Sequence, residues 1–384
     1  MNLPNRQSLI EEASHLTELN DFGSTWFFDH IDHLIAALNT EARLTTEGSY
    51  GAQAMIVGAL SNRLRHIALI KAHPEILEED VQVAVIVTGL PRTGSTMLHR
   101  MLASSRGMTG VRWYEAQNYA PFPGEIRAEA TQRLEAARNI LDFMLGKLPE
   151  LMSIHPMSID QPDEEVIILG QLFSSTMAEA SYYVPSYARW LTLQDPKPGY
   201  LDLHQILQSL QWQDPSREGK AWVLKTPGHL VALDTAMSIF NTAKIVMTHR
   251  DPIAVIPSYC SMEASLYKLA SDTISHKMIG EYWPGRLHAW LDQFMLVRAG
   301  NDKNRFIDVL YEDQLQHPEK EAARVLKLAG IPIGDDFHNE IKDWIETNLR
   351  EHRAPHRYNL ADFGLEKKAL NQQFADYSSR YLRQ

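Results

Sequence analysis

A single cysteine, Cys260, stands in the 384 residues. It cannot form an intramolecular disulfide, and it leaves no thiolate cluster for zinc or iron–sulfur ligation. Long apolar runs are also missing. The longest, such as Val83-Ala-Val-Ile-Val87, fall far short of the roughly 20 residues a membrane span needs. Positive charge is in deficit, with 37 Lys+Arg against 48 Asp+Glu and a net charge of −11. A general nucleic-acid binder is thereby disfavoured, and any anionic ligand must meet a local basic pocket. No 20–50-residue repeat and no low-complexity linker divides the chain, so one continuous fold is the expectation. The N-terminus carries neither a basic segment leading into an apolar one nor a myristoylation pattern, so the expectation is a cytoplasmic protein.

What is present is an alternation of helices and short β-branched strands. Residues 1–80 read as a helical region, with Phe27, Ile31, Leu34, Ile35 and Leu38 at helical spacing. Val81 to Gly89 reads as a buried strand. Three more strands follow at Ala221–Lys225, Ala243–Thr248 and Arg305–Leu310, with helical stretches between them. This order predicts an α/β fold with a mainly parallel sheet flanked by helices and a ligand site at the C-terminal strand ends. Residues 110–215 form a long, mostly helical insertion, with Asp160-Gln-Pro-Asp-Glu-Glu opening one of its helices. Acceptor recognition is expected there.

The most informative stretch runs from Val85 to Arg100, through Gly89-Leu-Pro-Arg-Thr-Gly-Ser-Thr96. A strand, a tight loop and a helix start occur in the order of a phosphate-binding loop, whose backbone N–H groups and helix dipole converge on one anion. The loop nearly spells Gly-x4-Gly-Lys-[Ser/Thr], but Ser95 replaces the lysine. Without that lysine, and with no clear magnesium-holding strand, triphosphate cleavage lacks its usual charge stabilisation. In Thr248-His-Arg-Asp-Pro, Asp251 can cap and Pro252 can begin a helix, which places Arg250 at a strand end and Ser258 about two turns along. A guanidinium and a hydroxyl can there grip one phosphate.

Pro91-Arg-Thr-Gly-Ser-Thr96 resembles the 5′-phosphosulfate loop of sulfotransferases that use 3′-phosphoadenosine 5′-phosphosulfate (PAPS), and Arg250 with Ser258 resembles their 3′-phosphate clamp. Tyr311-Glu-Asp resembles the strand end beside the adenine, and Arg350 to Leu365 resembles a basic His-Arg-Tyr segment of the broad bacterial sulfotransferase family. The resemblance implies a phosphate-loop, nucleotide-hydrolase-like sulfotransferase fold. It implies nucleotide contacts from Pro91, Arg92, Thr93, Gly94, Ser95, Thr96, Met97, Arg250, Ser258, Tyr311, Arg353 and Arg357, and no metal. It also implies 3′-phosphoadenosine 5′-phosphate (PAP) as the product left by the donor.

Sulfuryl transfer is mainly positioning and charge stabilisation. Arg92 can stabilise the leaving phosphate, and Lys225, in Leu224-Lys-Thr-Pro-Gly-His229, can support the bridging oxygen. Glu115 and His229 compete as the base that takes the acceptor's proton, with His99 a third candidate. Phe173, Met177, Tyr182, Tyr183, Tyr187 and Trp190 can line an apolar pocket for a small hydrophobic alcohol or phenol. Two rivals stay open: a nucleotide-dependent kinase on a related fold, and a non-catalytic nucleotide-binding protein. A protein-kinase reading of His249-Arg-Asp and Asp362-Phe-Gly fails for want of a Gly-x-Gly-x-x-Gly loop and an asparagine soon after Asp251.

Overall fold

The computed structural model describes residues 2–154, 156–347 and 358–382. Arg353 and Arg357 therefore lie outside the described residues. Five strands form one parallel sheet: β1 (Val83–Gly89), β2 (Met108–Thr109), β3 (Ala221–Lys225), β4 (Lys244–His249) and β5 (Phe306–Leu310), in the order β2-β3-β1-β4-β5. The expected four strands are present, Ala221–Lys225 as read and the other three with ends shifted by one or two residues. The edge strand β2 escaped the sequence reading because two residues carry no periodicity.

Both faces of the sheet are covered, so its strands are apolar on both sides. Val85, Val87, Val223, Val246 and Val309 share one core with Leu98 and Met101 of the loop helix Ser95–Ser104. Ile86, Trp222, Leu224, Ile245 and Met247 join the larger core, with the helices Pro252–Tyr267 and His276–Ala299. Val83 belongs to this second core, and the β1–β3 register shifts between Val83 and Val85. Strict alternation would have placed Val83 with Val85, and the irregularity turns it to the other face.

Residues 1–80 are not one helical run. Helices Arg6–Thr17, Phe28–Thr40 and Thr46–Ala72 are separated by turns, with Asn5 and Thr45 side chains capping the first and third. Their core includes Phe27, Ile31 and Leu34 and continues into the insertion through Phe173 and Tyr187. Arg63, itself buried, binds the Phe22 and Ser24 carbonyls and Asp202, and so fixes the turn between the first two helices. Among the described residues no helix is long and apolar enough to cross a membrane.

Two histidines are enclosed in this fold. Burial holds the imidazole of His66 down at about 3 and that of His99 down at about 4. Both are therefore neutral when folded at mild acidity, whereas the unfolded chain binds protons near pH 6.5. Their contribution to stability is complete above about pH 6.5 and is lost as the pH falls towards these values. Denaturant titrations at pH 7 and pH 5 should differ by about 2 kcal/mol for each histidine. A flat profile would contradict the enclosure.

Candidate active site

Every element of the site leaves the sheet at the C-terminal end of a strand. The loop follows β1, Lys225 ends β3, Arg250 follows β4 and Tyr311 follows β5. Gly89, at φ 142°, lies so close to β4 that an added Cβ would stand 2.5 Å from the Thr248 carbonyl oxygen. Gly94, at φ 84°, caps the loop helix with its backbone. Arg92 also has a positive φ, 67°, although it is not a glycine. Such a conformation costs on the order of 1 kcal/mol and persists only where its surroundings enforce it.

Those surroundings are visible. The Thr93 hydroxyl is buried beneath the loop, 2.6 Å from the Thr248 hydroxyl, and ties the loop to β4. Arg250 Nη1 donates to the Arg92 carbonyl oxygen at 2.7 Å, while Arg92 Nε donates to Ser258 Oγ at 3.2 Å. The Arg250 guanidinium lies 4.1 Å from the centre of the Tyr311 ring, a cation–π contact. The helix that carries Ser258 starts as the sequence predicts, with Asp251 accepting from Ile253 N and Pro252 in the first turn. Below Arg250, His249 is held by Asp308 and by the Tyr377 hydroxyl, each at 2.8 Å. The C-terminal helix thus anchors the strand end.

On the other side of the loop, Lys225 is fully buried. Its ammonium donates to Thr96 Oγ1 at 3.1 Å and pairs with Glu164. The next acid, Glu165, accepts from Lys225 N at 2.9 Å and from His229 Nε2 at 2.6 Å. Burial opposes ionisation of Glu165, but these hydrogen bonds and the His229 partner outweigh it, and its carboxyl lies below the ordinary value. The other nitrogen of His229, Nδ1, is 2.7 Å from the Tyr200 hydroxyl. With Nε2–H donating to a carboxylate, Nδ1 accepts from Tyr200, so both ring nitrogens are committed inside the protein.

Glu115 is committed as well. Its carboxylate receives Arg217 Nη2 at 2.6 Å, Arg112 N at 2.8 Å and the Tyr114 hydroxyl at 3.2 Å, with Arg217 and Glu115 both buried. This is a helix cap combined with a buried ion pair. His99 sits beneath the loop helix, with Nε2 3.3 Å from the Val223 carbonyl oxygen.

A cavity of about 1590 Å³ opens beside the loop. Pro91, Arg92, Gly94, Ser95, Thr96, Met97, Arg250 and Tyr311 border it, whereas Lys225 and Ser258 stand one hydrogen bond behind that wall. Glu115, His229 and His99 are not on its lining, but Glu164 is. Sequence reasoning passed over Glu164 because Asp163-Glu-Glu before a helix reads as an N-terminal charge signal. Arg100 binds the Pro156 and Pro162 carbonyls and pairs with Asp163, and so fastens this acidic segment to the loop helix. Of the expected aromatic wall, Phe173, Met177, Tyr182 and Tyr187 border the cavity. Tyr183 instead packs edge-on against Tyr267 and Tyr282, and Trp190 stacks on His33 with centres 4.0 Å apart.

A glycine-turned loop after β1, an Arg–Ser pair after β4 and a buried lysine ending β3 thus stand at adjoining strand ends of one parallel sheet. Residues 84–335 match the sequence model of the Sulfotransferase family, and the chain belongs to that family. It is 25% identical over 307 residues to the omega-hydroxy-beta-dihydromenaquinone-9 sulfotransferase Stf3 of Mycobacterium bovis, covering 77% of this chain and 74% of the relative. The crystal structure of sulfotransferase STF1 from Mycobacterium tuberculosis matches with a TM-score of 0.83 and 29% identity, covering 98% of this chain and 99% of that one. STF9 from Mycobacterium avium shares the fold, with a TM-score of 0.88 at 23% identity over 100% of this chain and 98% of the other.

The geometry of Glu115 generates a prediction. Removing the charge from a buried ion pair leaves its partner uncompensated, so Glu115→Gln should lower the unfolding free energy by about 3 kcal/mol. Thermal melts followed by circular dichroism read this directly. An unchanged melt with a large loss of kcat would assign Glu115 to the chemistry instead.

Proposed function

We propose that the protein transfers a sulfuryl group from PAPS to a hydroxyl, or an amine, of a small hydrophobic acceptor, and releases PAP. The observation that carries this reading is the convergence of Arg92, Arg250, Ser258 and Lys225 on a loop that has Ser95 where a triphosphate-cleaving loop has lysine. PAPS supplies the activated sulfuryl group. The backbone from Pro91 to Met97 and the start of the loop helix receive its 5′-phosphosulfate. Arg250 and Ser258 take the 3′-phosphate, joined in this reading by Arg353 and Arg357, and Tyr311 meets the base.

Lys225 is the residue suited to the bridging oxygen. It is buried and donates to Thr96 at the helix start, which places an ammonium at short range in a low dielectric. Arg92 adds a second positive charge from within the loop. The base that this geometry favours is Glu164, the carboxylate that both borders the cavity and touches Lys225. Glu115 and His229, the candidates from sequence, are less suited because their polar atoms are engaged away from the cavity.

The acceptor reading rests on the cavity wall. Gly51 and Gly58 on the Thr46–Ala72 helix border the cavity, and an added Cβ at either meets nothing within 4 Å. With Met55, Phe173, Met177 and Tyr182 they leave room for apolar bulk. The Stf3 relative is named for a hydroxylated dihydromenaquinone acceptor, which accords with an apolar alcohol here.

Thermal stability with PAP tests the donor site. PAP at 100 times its dissociation constant should stabilise the protein by about 2.7 kcal/mol without magnesium, and Arg250→Ala should abolish the effect. A response only to ATP with magnesium would sink the reading in favour of a kinase. For the chemistry, Lys225→Ala and Glu164→Gln should each lower kcat about 10²-fold or more while keeping the response to PAP. Full activity in Glu164→Gln would place the base elsewhere.

A further inference from the structure

The helix that begins at the Arg–Ser clamp carries another acid, for which the reaction above has no use. Glu263 is fully buried and borders the acceptor cavity, yet neither of its carboxyl oxygens has a hydrogen-bond partner among the described residues. The Tyr259 hydroxyl lies near enough to lower its pKa in part, but is not in hydrogen-bond geometry with either oxygen. Arg286, on the neighbouring His276–Ala299 helix, is already taken. Arg286 binds both oxygens of Glu179, at 2.7 and 2.9 Å, and the Tyr282 hydroxyl donates to the same carboxylate. Burial, with the like charge of Glu179 adding to it, pushes the Glu263 carboxyl well above its ordinary value. A carboxyl enclosed without a cation partner favours its protonated form, which has an O–H to donate.

A second unpartnered group stands on the same wall. The Trp290 indole N–H is buried without a partner, and Trp290 borders the cavity. It is linked to Tyr259 through Trp283, with ring centres 6.1 and 4.8 Å apart. An indole N–H can only donate. What this wall lacks is therefore an acceptor atom, and an ammonium group would leave Trp290 unanswered.

We propose that Glu263 and Trp290 mark a polar subsite of the acceptor cavity that receives a neutral carbonyl oxygen of an otherwise apolar acceptor. Glu263 follows Ser258 by 263 − 258 = 5 residues on one helix, so the subsite lies about 7–8 Å along the helix axis from the clamp. The molecule bound there is then bifunctional, with a group to be sulfated near the loop and an oxo group further in. A buried acid without a partner destabilises the fold, so its retention is explained by a ligand that satisfies it. The inference rests on the sulfotransferase reading only in naming that ligand the acceptor.

Calorimetric binding of a straight-chain primary alcohol, and of the same alcohol bearing one ketone at successive mid-chain positions, tests the proposal with and without PAP. Wild-type protein should bind one ketone isomer about tenfold more tightly than the plain alcohol. Glu263→Leu should erase that preference, Glu263→Gln should keep part of it because an amide still donates, and Trp290→Phe should weaken it. Equal affinities in the wild type, or no binding of either probe, would overturn the inference. So would a preference that survives Glu263→Leu, or one lost as fully in Glu263→Gln. Glu263→Leu should also raise the melting temperature, whereas an acid that serves only the fold would lower it on removal. The response of Glu263→Leu to PAP separates the two readings. If PAP stabilises neither wild type nor variant, the donor site has failed, and the ketone preference still decides the subsite.

Discussion

The seam between β1 and β4 is the constraint on which the site depends. Gly89 has no side chain because the Thr248 backbone occupies the space a Cβ would need, and Thr93 closes the contact with a hydroxyl pair 2.6 Å apart. Only with the loop drawn onto β4 in this way does the Arg92 carbonyl come within 2.7 Å of Arg250. The positive φ of Arg92 follows from the same closure, since the chain must turn sharply to leave β1, skirt Thr248 and enter a helix. The backbone strain and the cationic clamp are one feature. The loop carries one guanidinium, that of Arg92, and its closure onto β4 brings that of Arg250 beside it.

Charge is sorted around that seam by whether its partners lie inside the fold. Glu115 with Arg217, Asp163 with Arg100 and Glu179 with Arg286 are buried ion pairs with additional hydrogen bonds, and they lock helices and loops in place. Tyr200, His229 and Glu165 form a chain that ends on the Lys225 backbone, so the strand end is held by groups that never meet the cavity. Nearest the loop, the charged groups on the cavity wall are Arg92, Arg250 and Glu164, with Lys225 just behind, while Arg100 with Asp163 and Lys147 with Glu47 border the cavity as ion pairs. An acidic protein can bind an anion when its acids are neutralised internally and a small set of cations is left facing the ligand.

Much of this was legible in the sequence, and the omissions have identifiable causes. The loop after β1, the cap at Asp251 and the placement of Arg250 at a strand end with Ser258 on the next helix are local, since each depends on one strand and the helix after it, and each stands where it was expected. The sheet followed from β-branched runs separated by helices, and only β2, too short for a pattern, was missed. The roles of acids were not legible, because a carboxylate's role depends on which arginine reaches it through the fold. Arg217 lies 102 residues beyond Glu115, and nothing local in Arg112-Trp-Tyr-Glu announces that pair. Asp163-Glu-Glu looked like a helix start, and it also supplies the partners of Lys225 and His229. Glu263 did leave a signal: it stands four residues from both Tyr259 and Tyr267, on the face that helical spacing buries.

That last position connects stability with recognition. Most core positions of the Pro252–Tyr267 helix are apolar or, like Tyr267, have a hydrogen-bond acceptor for their polar atom. A carboxyl with no partner there works against the helix it belongs to, and an apolar residue of similar volume would pack without that cost. Selection for folding alone would remove it. The same reasoning sets Glu263 apart from Glu115 and Glu179, whose partners account for them completely. An unpartnered acid is informative where the neighbouring carboxylates are paired, and along this helix the unpartnered acid borders the cavity that the proposed reaction assigns to the acceptor.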